Sequence, residues 1–207
     1  MRSTEESNPH LENLVRSSRC YAGVGSRSMP RSALVLLGKI GATLAGYGLI
    51  LRSGAAPGGD TAFERGCDRA RGRKEIYLPW ARFSGSNSAL FPPSEQAEIV
   101  ASLCHPNWGA CNRAAQKLHA RNCQQICGQD MESPVDFVVY WAPEKGGRVE
   151  GGTATAVFLA REMSIPTFNL WQEETREQWR EFVRRYNQRK SRFWKNILGW
   201  LESGEGR

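Results

Sequence analysis

The chain predicts a three-layer α/β fold built around a mostly parallel sheet. Three observations predict it. Short apolar runs alternate with stretches of helical periodicity, glycine-rich turns close the first two of those runs, and Val135 to Trp141 is almost uninterruptedly apolar, the pattern of a strand buried on both faces. The 207 residues are 40% hydrophobic, enough for one domain with its own core, so a folded chain is expected by default.

Residues 1–18 are polar and lack apolar periodicity, so a loose leader is expected there. From Cys20 to Val24 an apolar run leads into Gly23-Val24-Gly25-Ser26-Arg27, and after Pro30 the residues Leu34, Leu37, Ile40 and Leu44 advance with helical spacing. Gly46-Tyr47-Gly48 ends that helix. Leu49 to Arg52 reads as a second strand, Ser53 to Asp60 as a small-residue loop, and a second helix begins near Thr61. Glu75 to Leu78 is the third strand. Strands separated by helices of this length are joined by right-handed crossovers and therefore run parallel.

A loop rich in Ser, Gly, Asn and Pro, Ala81 to Pro93, opens a helical insertion over about 84–122, with helices expected at Ser94 to Cys104 and Asn107 to about Asn122. Gly151 and Gly152 precede a helix from Ala154 to Met163, and Ile165 to Asn169 is a last buried strand. Gln172 to Leu201 places Trp179, Phe182, Tyr186, Phe193, Ile197 and Leu201 at steps of three, four or seven. That is one long amphipathic helix, whose stripe packs on the domain or on a second subunit. The expected organisation is a leader (1–18), an α/β domain (19–170) and a C-terminal helix and tail (171–207).

A net charge of +7 favours anionic partners. Six basic residues and no acidic one lie between Arg184 and Lys195; a solvated helix face and a nucleic-acid patch both fit them. The apolar runs are too short to cross a bilayer and the N-terminus has no signal-peptide pattern, so no membrane partner and a cytoplasmic location are expected. The six cysteines read as reduced thiols. Cys123 and Cys127 are their only close pair, and His105 or His119 could complete a zinc site only by accident of folding, so no metal is expected.

In open parallel sheets ligands bind outside the carboxyl ends of the strands, where every glycine cluster of this chain falls. In the first, Gly23 and Gly25 allow close backbone approach, Ser26 offers a hydroxyl and Arg27 can fork onto a phosphate; a tight turn without ligand is the alternative. Ser28 stands where a dinucleotide fingerprint has its third glycine. The second, Ser53, Gly54, Ala55, Gly58, Gly59, Asp60 and Thr61, can form an anion nest, although Asp60 and Thr61 also suit a helix cap. Asp60 or Glu64 would be the acid–base group if the protein were an enzyme. Gly151, Gly152 and Thr153 form the third cluster. Trp80 and Trp141 follow strands at the same edge, where an aromatic ring either stacks on a base or packs its loop. Arg121 and Asn122 either reach the ligand or tie down the insertion.

Tyr21 to Arg27, Leu51 to Glu64 and Ile76 to Trp80 resemble the SLOG superfamily of Rossmann-like proteins. The later run His119 to Asn122, Phe137 to Trp141, Gly151 to Ala156 and Ile165 to Leu170 is similar to stand-alone bacteriophage members of its DNA-processing protein A (DprA/Smf) branch, and more distantly to LOG-type phosphoribohydrolases. The resemblance covers about residues 19–170. It implies a pocket for a nucleotide-derived ligand. In DprA-type proteins that pocket is associated with single-stranded DNA; in the LOG branch it cleaves base from nucleotide. The hydrolase pattern Pro-Gly-Gly-x-Gly-Thr followed by Glu is not reproduced by Gly151 to Ala156, and Pro57 to Thr61 with Glu64 is only a partial echo after a different strand. Three readings stay open: a binder of a nucleotide or single-stranded DNA, a phage protein that sequesters a host signalling nucleotide, and an N-glycosidic hydrolase. A nucleotide-type ligand is the one cofactor expected, and a homodimer is the favoured assembly.

Overall fold

The computed structural model describes residues 9–203. Its first element is a helix, α1 (Pro9–Ser17), standing where a loose leader is expected; residues 1–8 of that leader, and the tail 204–207, lie outside the described residues. Leu11 and Val15, one helical turn apart, are buried in the core and make α1 part of the fold.

The expected alternation follows as β1 (Cys20–Gly25), α2 (Arg31–Gly46), β2 (Ile50–Ser53), α3 (Gly59–Arg69) and β3 (Lys74–Ile76). Next come α4 (Glu95–Cys104) and α5 (Arg113–Cys127), each started by a side chain that accepts a backbone N–H: Ser94 Oγ from Ala97 at 3.2 Å and Asn112 Oδ1 from Ala115 at 2.9 Å. The Asn112 cap starts α5 later than expected, after a short turn at Trp108–Ala110, and the helix continues past Asn122 to Cys127. Then come β4 (Phe137–Trp141), a small antiparallel hairpin of β5 (Glu144–Lys145) and β6 (Arg148–Val149), α6 (Ala154–Glu162), β7 (Thr167–Asn169) and α7 (Glu173–Ser203).

Five strands form one parallel sheet in the order β3-β2-β1-β4-β7, a Rossmann-like arrangement. Alternation along the central strands divides the core in two. Tyr21, Phe137, Val139 and Trp141 face α1, α2, α3 and the first half of α7; Ala22, Val24, Val138 and Tyr140 face α4, α5 and α6. The helices of the 84–122 segment thus build, with α6, the second outer layer. Chain order reverses between β1 and β4, which opens a crevice at their carboxyl ends.

The stripe of α7 serves burial only in its first half. Trp179, Phe182 and Val183 are buried, whereas Phe193, Trp194 and Leu198 are exposed; the Leu201 side chain lies outside the described ones. No helix among the described residues is long and apolar enough to cross a membrane.

Candidate ligand cleft

One buried carboxylate joins three elements at the carboxyl edge of the sheet. Asp60, in the first turn of α3, accepts the Gly25 N–H at 3.1 Å through Oδ1, and through Oδ2 the Ala56 N–H at 3.4 Å and an Arg121 Nη1–H at 3.2 Å. The turn after β1, the loop after β2 and helix α5 therefore share a single anchor. Burial pushes the Asp60 carboxyl up, opposed first by the Arg121 charge, and pushes the Arg121 guanidinium down, opposed by Asp60. Arg121 also lies over the Phe83 ring, 5.9 Å from its centroid.

Gly54 makes this approach feasible, because a Cβ there would overlap both Arg121 Nη1 and Gln125 Nε2. Gly58, at φ +98, starts α3 where a side chain would strike the Ser26 carbonyl.

Above the anchor is a cleft of about 430 Å3. Gly25, Ser26 and Arg27 form one wall, Arg121, Asn122 and Gln125 of α5 another, and Gly151, Gly152 and Thr153 the rim at the start of α6. Asn122 Nδ2 donates to the Gly152 carbonyl at 2.7 Å and holds that rim. Gln125 is fully buried, yet among the described residues neither end of its amide has a hydrogen-bond partner, nor has Arg121 Nε. His119, also on the wall, is held against Thr155 Oγ1 at 2.8 Å; burial, and then the neighbouring His105 and Arg121, lower its pKa to about 4. It also meets His105 and Cys111, from the connection between α4 and α5.

No family model matches this chain. No curated protein matches it either. Among solved structures, the Moco carrier protein of Chlamydomonas reinhardtii aligns at a TM-score of 0.46 with 17% identity, over 79% of this chain and 82% of its own. A second structure of that carrier gives 0.45 and 16%, over 80% and 84%. DNA processing protein A (DprA) from Streptococcus pneumoniae gives 0.45 and 14%, over 84% of this chain and 58% of its own.

Of the residues singled out in the sequence, Gly25, Ser26, Arg27, Asp60, Arg121, Asn122, Gly151, Gly152 and Thr153 meet in the cleft. Gly23, Ser53, Gly54, Ala55, Gly58, Gly59 and Thr61 are not on its lining. They brace the loops instead: Ser53 Oγ donates to the Gly23 carbonyl at 2.7 Å and Thr61 Oγ1 to the Gly58 carbonyl at 3.1 Å. Trp80 packs edge-on against Phe83 and Trp141 against Trp171, so neither ring walls the cleft. Trp141 contributes through its backbone, its carbonyl accepting the Ser26 N–H at 2.9 Å. Glu64 also lies off the lining, 3.8 Å from Lys74 Nζ, with burial raising its carboxyl to about 7. Gln125, His119 and Glu150 also line the cleft, and spacing arguments do not assign them to it. Gln125 falls four residues after Arg121, on the same helical face, once α5 is carried to Cys127.

Proposed function

We propose that the cleft binds one nucleotide-type anion and holds it without chemistry. The unpartnered Gln125 amide carries this reading. Leaving a buried polar group unpaired costs about 1–3 kcal/mol, which a ligand relieves if it offers a donor and an acceptor side by side, as a nucleobase edge does. Arg27, exposed at the mouth, and the start of α6 at Thr153 suit a phosphate. The volume suits a single small ligand better than a strand of DNA.

Holding rather than hydrolysis is supported by the two carboxylates. Both Asp60 oxygens are occupied by protein donors, Glu64 is outside the cleft, and the remaining carboxylate on the lining, Glu150, is solvent-exposed beside Gly151. A host signalling nucleotide is the form of ligand that sequestration by a phage protein implies. The homodimer of this reading would bury Phe193, Trp194 and Leu198 on the far half of α7; sedimentation of Trp194→Glu beside the wild type checks it.

Native mass spectrometry of the purified protein, followed by chromatography of the heat-released ligand, tests the function. An intact mononucleotide-sized compound supports it. Free base and sugar phosphate would move the assignment to hydrolysis, and an oligonucleotide as the sole bound species would move it to single-stranded DNA.

A further inference from the structure

Three side chains from different parts of the α4–α5 region converge beside the cleft. His105 follows α4, Cys111 precedes α5 and His119 lies within α5, and their ligand atoms all fall within 4.8 Å of one another. The Cys111 Sγ is 3.7 Å from His105 Nδ1, and the two imidazole centroids are 4.3 Å apart. A tetrahedral zinc ion with ordinary bonds to sulfur and nitrogen spaces its S and N ligands about 3.6 Å apart and two N ligands about 3.3 Å apart. The Cys111–His105 separation already matches, and a pair at the 4.8 Å limit needs to contract by about 1.2 to 1.5 Å.

The hydrogen bonds around the cluster assign the ligating atoms. His119 Nδ1 is engaged with Thr155 Oγ1 at 2.8 Å, which leaves Nε2 for a metal and makes Thr155 the group that fixes the ring. On His105, Nδ1 accepts a 3.2 Å bond from the Asn107 N–H and faces the Cys111 Sγ at 3.7 Å, and a metal would replace both contacts. The Cys111 thiol points at the Asn107 carbonyl from 3.7 Å and gives up its proton to solvent when it becomes a thiolate ligand. All three residues are half-buried, so an ion reaches them from solvent.

We propose that His105, Cys111 and His119 form a binding site for one zinc-class divalent ion where the α4–α5 connection meets α5. Two imidazoles and a thiolate select zinc, cobalt or copper over magnesium and calcium, which prefer oxygen. Three protein ligands match the donor number of zinc sites that keep a fourth position for water or a bound molecule. His119 also lines the cleft, so the ion would sit against the ligand site. The proposal does not depend on the nucleotide reading, and its test uses metal alone.

The chelator-washed protein is titrated with cobalt(II) while thiolate-to-cobalt charge transfer and the visible ligand-field bands are recorded. One equivalent should saturate the bands, with zinc displacing cobalt. Cys111→Ser should abolish the charge-transfer band, and His105→Ala should remove stoichiometric binding. Thr155→Val keeps all three ligands but frees the His119 ring, and should weaken binding about 10- to 100-fold; it serves if Cys111→Ser does not fold. Absence of stoichiometric binding to the folded wild type, or a charge-transfer band that survives in folded Cys111→Ser, overturns the proposal. Unchanged affinity in Thr155→Val would overturn the assignment of Thr155 as the group that fixes His119.

Discussion

Arg121 Nη1 donates to Asp60 Oδ2 at 3.2 Å in an ion pair whose side chains are only 6% and 4% exposed. Removing one partner strands the other charge. Arg121→Met should therefore cost about 3–5 kcal/mol, read as a lower urea midpoint at pH 7. The double variant Arg121→Met, Asp60→Asn should recover part of the loss, though not the Gly25 bond in its charged form.

Gly54→Ala places a methyl group where Arg121 and Gln125 now sit. Overpacking of this kind costs about 1–3 kcal/mol. Because both displaced side chains belong to the cleft wall, ligand affinity should fall at least about tenfold, a change equivalent to about 1.4 kcal/mol. Calorimetric titration beside a thermal melt separates the two effects.

Two buried groups give stability opposite pH trends. Glu64 is raised from 4.5 to about 7, so the unfolded chain ionises first and its contribution is lost as pH rises from about 4.5 through 7. His119 is lowered from 6.5 to about 4, so its contribution is present above about 6.5 and lost as pH falls toward 4. The two slopes oppose each other in the wild type. Glu64→Gln removes the Glu64 trend, and the gain in stability over the wild type should grow from near zero at pH 4 to about 3 kcal/mol at pH 8, measured by urea unfolding across that range.

Leu11 is buried in the core although it belongs to a stretch that reads as a polar leader. Leu11→Ala should cost about 2–5 kcal/mol, whereas substitution in a loose leader would leave the melting temperature unchanged.

The parts of this molecule legible in its sequence are those where one residue type has one physical use. Gly25, Gly58 and Gly151 mark bare backbone at strand ends and helix starts, and the run Val135 to Trp141 reads as a strand buried on both faces. What stayed hidden depends on partners distant in sequence. Leu11, Leu14 and Val15 span a single helical turn, too short a stripe to stand out beside Glu12 and Arg16. Trp141 faces the α1, α2, α3, α7 core, as the β4 pleat dictates, and so turns its ring away from the edge where its position in the chain suggests it acts. Cys111 stands in an irregular loop, and only the packing of α4 on α5 brings it to His105 and His119. The hairpin at Glu144–Val149 had a signal in Gly146-Gly147, both at positive φ.

The most direct measurement is a calorimetric comparison of AMP, GMP, CMP, UMP and inorganic phosphate at low salt, on the wild type and on Gln125→Leu. At least one nucleotide should bind one-to-one and more tightly than phosphate; Gln125→Leu should narrow that gap, and Arg27→Ala and Gly152→Asp should weaken both. Absence of saturable binding by any nucleotide, or an unchanged gap in folded Gln125→Leu, would contradict the assignment of this cleft.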